Sequence, residues 1–293
     1  MAPSEEVEIA MDAHAMLGEG PIWDDGTRCL VWVDIMEGHL HRYDPATGSS
    51  ETMEVGQPVG AAAVRSMGGF VLALRDGFGL VERWGDEVRM IVDTEADIAG
   101  NRMNDGKCDL TGRFFAGTMA FAVTPGAGAL YRLETDYSVT KMVGDLTISN
   151  GIGWSIDNRT MYHIDTPAHT LYAYDYDAAT GSMANRRSLI EVEPAHGSPD
   201  GMTVDAEGFL WVALYGGGAV RRYSPEGDLV RTIALPATNI TSCTFGGDGL
   251  SDLYITSAAQ ELSEDQLARE PHAGALWRCS PGIKGLPPND FKA

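Results

Sequence analysis

Six short phrases, EGPIW, VGAAA, NDGKCD, NGIGW, DGMTVD and SCTFG, align on one another and place Glu19, Val59, Asp105, Asn150, Asp200 and Ser242 at one equivalent position. All but Val59 are polar, and each is followed by Gly or Cys, small enough for backbones to crowd together. Taken singly, EG, NG and DG are ordinary turn phrases. Taken jointly they imply chemistry, because carboxylates and an amide gathered in a small space repel one another and hold their protons unless a cation neutralises them. The donors are all oxygens, which suits Ca²⁺, Mg²⁺ or Mn²⁺. Zn²⁺ stays open for a catalytic site that keeps one coordination position free.

Such a gathering requires elements that deliver distant residues to one point. The strongest apolar runs begin at Cys29, Phe70, Phe114, Thr160, Phe209 and Asp252, with separations of 41, 44, 46, 49 and 43 residues. A spacing of about 45 residues in a chain of strands only is the signature of a propeller blade. Each run is followed after a turn by a second apolar strand, HLHRY, GLVERW, ALYRL, TLYAY, AVRRY or ALWRC. Six such hairpins predict an all-β chain, a six-bladed β-propeller formed as a single domain over residues 1–293, with its inner strands starting at one mouth of a central channel. Turn phrases such as DPATG, DAATG and SPEG join strands at the blade edges. The segment VEIAMDA near Val7 is expected to close the ring against the last blade, leaving no open sheet edge. The proline-rich last dozen residues, within PGIKGLPPNDFKA, are expected to form a loosely attached extension.

Composition narrows the partners. A formal net charge of −21 disfavours nucleic acid and anionic membrane surfaces, since both are bound through Lys and Arg. The first twenty residues lack a basic start followed by an apolar run, so no secretory signal is expected and a cytoplasmic location follows. No apolar stretch approaches the roughly 18 residues needed to span a bilayer. Cys29, Cys108, Cys243 and Cys279 form no CxxC pair and read as free, buried thiols. The expected partner is a small molecule, bound by a monomer or small homo-oligomer.

Several long phrases in order carry a resemblance: LGEGPIWDDGTRCLVWVDI, NRMNDGKCDLTGRFFAGTM, SNGIGWSIDNRTMYHIDT, SPDGMTVDAEGFLWVALYGGGAVRRYSP and TSCTFGGDGLSDLYITSA. From about residue 8 to about residue 280 the chain resembles the family of gluconolactonase, regucalcin (senescence marker protein) and related lactonases. The resemblance implies a six-bladed propeller that opens lactones with one divalent metal. It implies that Glu19, Asn150 and Asp200 hold the ion and that Arg102 and Asn104 grip substrate oxygens. One departure follows GTM: related animal proteins carry an acidic residue there that touches the sugar, whereas this chain reads GTMAFAVTPGAGALYRL, with Phe121 or its neighbours instead and a shorter loop.

The expected reaction is hydrolysis of a sugar lactone to the sugar acid, with Asp200 as ligand and proton acceptor for the attacking water, and Arg102 and Asn104 orienting hydroxyls. The rivals are a phosphotriesterase-like hydrolase on the same propeller and a non-catalytic calcium- or partner-binding propeller. Asp105 reads equally as a support for the metal ligands or as an Asx turn. His196, four residues before Asp200, reads first as a solvated loop histidine. Trp23, Trp154 and Trp211 fall on strands and are expected in the core, and His39 and His41 lie on a strand remote from the axis.

Overall fold

The structure, a computed structural model, describes residues 6–293, so the first five residues of the expected 1–293 domain lie outside the described residues. Six four-stranded antiparallel sheets follow one another along the chain as the blades of a β-propeller. Their innermost strands are Gly18–Asp24, Val59–Val64, Asn101–Cys108, Ser149–Trp154, Ser198–Val204 and Ile240–Gly246, in blades 1 to 6. The ring closes as expected, with Glu8–Met11 pairing with Leu276–Cys279 as the outermost strand of blade 6.

The second strand of each blade is buried on both faces because neighbouring blades pack against it, which makes it a continuous apolar run. Phe70–Leu74 and Phe114–Ala120 are buried along their whole length. The outermost strands are the most exposed; Ser49–Glu54 is polar and buries one residue of six. The edge turns follow their sequence chemistry. In DPATG the Asp44 carboxylate accepts from Ala46 N at 2.8 Å and Thr47 Oγ1 at 2.8 Å, and Gly48 takes φ +72°. Trp23, Trp154 and Trp211 are core residues, and the four cysteines are free and buried. His41 stacks on Trp32 at 4.2 Å, away from the axis, and burial brings its pKa down to about 4. Among the described residues no helix is long and apolar enough to cross a membrane.

The C-terminal segment corrects the expectation of a loose tail. Phe291 is fully buried in the cluster holding Phe78 and Phe114. Its N–H donates to Val64 O at 2.8 Å and its carbonyl accepts from Ser66 N at 2.9 Å, while Arg65 Nε donates to Ala293 O at 2.9 Å. Prolines bar a regular ladder here, yet the segment needs none, because the blade ends supply partners for its backbone and one aromatic anchors it. Phe291→Ala is therefore expected to lower the unfolding free energy by about 3–5 kcal/mol, the usual cost of deleting a buried Phe ring. A urea midpoint equal to wild type, with unchanged m, would show that the segment carries no stability.

Candidate functional site

Each inner strand loses register with its neighbour at its first residues: between Glu19 and Ile22, Val59 and Ala61, Met103 and Gly106, Asn150 and Ile152, Pro199 and Met202, and Ile240 and Ser242. A bulge adds a residue, bends the strand and re-aims a side chain. Six bulges at one level turn the ring residues into the channel mouth. The glycines that follow let adjacent blades approach. A Cβ at Gly151 would lie 2.7 Å from Asp200 O, and one at Gly201 would lie 2.1 Å from Ser242 Oγ.

Glu19 and Asp200 meet there closely enough that each carboxylate shifts the proton affinity of the other. Both are buried, at 4% and 6% exposure. Burial first, then the charge of Asp105, pushes the Glu19 pKa up to about 8. Burial and Glu19 raise Asp200 well above the carboxylate range. Asp200 Oδ1 is buried with no hydrogen-bond donor, an unusual state for a carboxylate oxygen. Glu19 Oε2 accepts from Gly20 N at 2.8 Å.

Asn150 is set by a hydrogen-bonded chain crossing three blades. Its Oδ1 accepts from Asn104 Nδ2 at 2.6 Å, and its Nδ2 donates to Thr166 Oγ1 at 2.7 Å, which donates in turn to Pro199 O at 2.8 Å. Asn104 Nδ2 also donates to Ser149 O at 3.0 Å, so both its N–H groups are used inside the protein. Its Oδ1 accepts from Arg102 Nη1 at 2.6 Å. Asn104 thus fixes Asn150 and Arg102 relative to each other.

Arg102 is buried at the start of the blade 3 inner strand, where burial brings its pKa down to about 10. Its charge acts on Glu19 and Asp200 and opposes their repulsion. Nη1 is taken by Asn104 and by Met103 O at 3.0 Å, whereas Nε has no acceptor. The centroid of the Phe121 ring, 41% exposed, lies 5.8 Å from the guanidinium. Asp105 is buried beside the group, with Oδ1 accepting from Gly106 N at 2.7 Å, and burial raises its pKa. Its bond is to the next residue's N–H and not the i+2 contact of an Asx turn, and its charge reaches Glu19. His196 ends a short 3₁₀ turn, Pro194–His196, and is exposed.

Sequence reading missed three neighbours. Thr166 follows the second strand of blade 4 in the phrase IDTPAHT, which repeats nowhere else in the chain. Tyr215 ends the second strand of blade 5, donates to Glu261 Oε2 at 3.1 Å and feels the charges of Asp200 and Glu19. Lys107 donates from Nζ to Met202 O at 2.6 Å, below the carboxylates. Among the described residues no group of three or more His, Cys, Asp and Glu side chains has metal-binding geometry.

Known proteins share this architecture. The family model described as the SMP-30/Gluconolactonase/LRE-like region matches residues 17–259. Regucalcin of Gallus gallus is 40% identical over 296 residues, covering 98% of this chain and 99% of its own. A solved luciferin-regenerating enzyme superposes with a TM-score of 0.93 at 33% identity, covering 99% of this chain and 100% of that one. A calcium-binding protein, regucalcin, from Agrobacterium tumefaciens gives 0.95 at 30% identity, over 99% of this chain and 98% of its own. Sequence match along the whole propeller and a matching structure agree, and the chain belongs to the SMP-30/gluconolactonase/LRE-like family.

Proposed function

We propose that this chain is a divalent-metal-dependent hydrolase that opens a sugar lactone to the sugar acid, with Glu19, Asn150 and Asp200 as the metal ligands. Membership of a family that includes gluconolactonase supports a lactonase-type activity. The observation that carries the finer reading is the orphaned Asp200 Oδ1, buried beside a second buried carboxylate, Glu19. A hard cation fits that donor set: it would offset the repulsion between the two carboxylates, give Oδ1 a partner, and take its remaining protein oxygen from Asn150. Ca²⁺, Mg²⁺, Mn²⁺ and Zn²⁺ all accept such oxygens.

When bound, the ion would polarise the lactone carbonyl and offset the charge that develops on its oxygen. Asp200 takes the proton of the attacking water and returns it to the ring oxygen that leaves. Arg102 turns its unpaired donors to substrate hydroxyls and holds the carbonyl at attack distance. Asn104, whose N–H groups are used internally, contributes by fixing Asn150 and Arg102, and reaches substrate through the second lone pair of Oδ1.

A hydroxyl-recognising site should distinguish a polyhydroxylated six-membered lactone from its unsubstituted parent. The hydroxylated lactone is expected to be the better substrate of ion-loaded protein in a pH-indicator assay. Arg102→Ala is expected to raise its KM about tenfold or more, the loss of one hydrogen bond to a charged group, while changing the parent lactone little. Phe121 near Arg102 favours the second reading, a phosphotriesterase-like hydrolase. Faster turnover of a neutral phosphotriester than of either lactone would select it. Tight ion binding with no turnover of any ester would select a non-catalytic calcium-binding propeller.

A further inference from the structure

The inner strands begin at the mouth described above and end at the other face of the propeller, where they surround a cavity of about 350 Å³. Its walls include Ile22, Ala62, Val64, Trp154, Val204 and Leu286. The volume falls within the range of small-molecule pockets, about 300–1,000 Å³, and predominantly apolar walls with a few polar groups are their usual character. At about 3.3 Å per residue the walls reach four to five residues past the ring, roughly 15 Å, while Lys107 at the inner end stands two residues past Asp105. The cavity is therefore entered from the face opposite the mouth.

Three features give it a polarity. Lys107 lines it, and the ammonium has three N–H donors but makes one hydrogen bond, to Met202 O. Leu110 and Ile156, 51% and 52% exposed, stand on its rim, so exposed apolar surface is continuous with the walls. The C-terminal segment passes across the opening, and its Asp290 lines the cavity with Asp24, Asp25 and Lys292 as its charged neighbours. The carboxylate acting on Lys107 is Asp105 instead, so Lys107 and Asp290 have different charged neighbours.

We propose that this cavity is a second ligand site, for a compact amphipathic monocarboxylate whose head group meets Lys107 Nζ and whose apolar body lies along the walls. A carboxylate supplies the acceptors that Lys107 lacks, as a charge-assisted hydrogen bond in a water-poor site. Asp290 at the opening repels a second negative charge, which excludes dicarboxylates of the same length.

The test is calorimetric titration of the full-length protein with octanoate, octanedioate and buffer alone. Octanoate is expected to bind at one saturable site per chain, and octanedioate at least about tenfold more weakly. Lys107→Met, which keeps the stem and removes the ammonium, is expected to weaken octanoate about tenfold or more, the loss that follows removal of a hydrogen bond to a charged group. The exposed pair Leu110→Asp with Ile156→Asp leaves the core intact and is expected to weaken octanoate to a similar extent. Absence of saturable octanoate binding overturns the proposal. So does binding that the rim pair leaves unchanged, or that a folded Lys107→Met protein retains in full.

Discussion

Asp200→Asn, assayed with ion occupancy confirmed, is expected to lower kcat for the best lactone by about 10²-fold or more, the range that loss of a general base produces. Asparagine keeps the size of the side chain and one oxygen donor, so the ion should stay, more weakly held. What disappears is basicity at Oδ1, the buried oxygen with no hydrogen-bond donor in the protein. Glu19→Gln gives the contrasting profile. Its Oε2 accepts from Gly20 N, which ties that side chain to the strand, so its loss should appear as weakened ion affinity that excess metal partly restores. If Asp200→Asn with full occupancy turned over lactone at the wild-type rate, Asp200 would be a ligand alone. The base would then be sought at Asp105, buried and electrostatically linked to Glu19, before the exposed His196.

Why the ring was legible follows from the packing. The second and third strands of each blade lie between neighbouring sheets and must be apolar, so the period stands out in the hydrophobic pattern. The inner-strand phrases repeat because each blade solves the same steric problem, seen where a Cβ on Gly151 or Gly201 would strike the next blade. The outermost strands left little trace, since water on one side relaxes their composition, as in SSETME. What stayed hidden depends on contacts between blades. Nothing in the order of residues indicates that Asn104 would bond Asn150, or that Thr166 would bridge Asn150 to Pro199. Nor does that order indicate that Arg102 would pair with Met119 inside a strand, ahead of the bulge that follows Met103. The tail misled because proline content signals an absent ladder, whereas its attachment rests on one aromatic ring and bonds to blade ends.

Removal of the ion should make stability depend on pH in a direction the buried carboxylates dictate. In ion-free protein Glu19 holds its proton up to about pH 8 and burial raises Asp200 well above its ordinary value, while the same groups in the unfolded chain ionise near pH 4. Between those values the native state binds more protons than the unfolded state, so the slope is negative and stability falls as pH rises through 8. Each retained proton contributes about 1.4 kcal/mol per pH unit, an upper limit that admitted water reduces. A divalent ion competes with those protons, so it should bind more tightly as pH rises. At an ion concentration about 1,000 times Kd the gain is about 4 kcal/mol, which corresponds to a rise in thermal midpoint on the order of 10 °C for a chain of this size. Stripped protein should therefore lose midpoint from pH 6 to pH 9, and reconstituted protein should lose much less. A stripped protein whose midpoint at pH 8 responds to none of Ca²⁺, Mg²⁺, Mn²⁺ and Zn²⁺ would remove the ion from the site. Glu19 and Asp200 would then be a buried carboxylate pair, and the lactone carbonyl would have to rely on Arg102 for its charge.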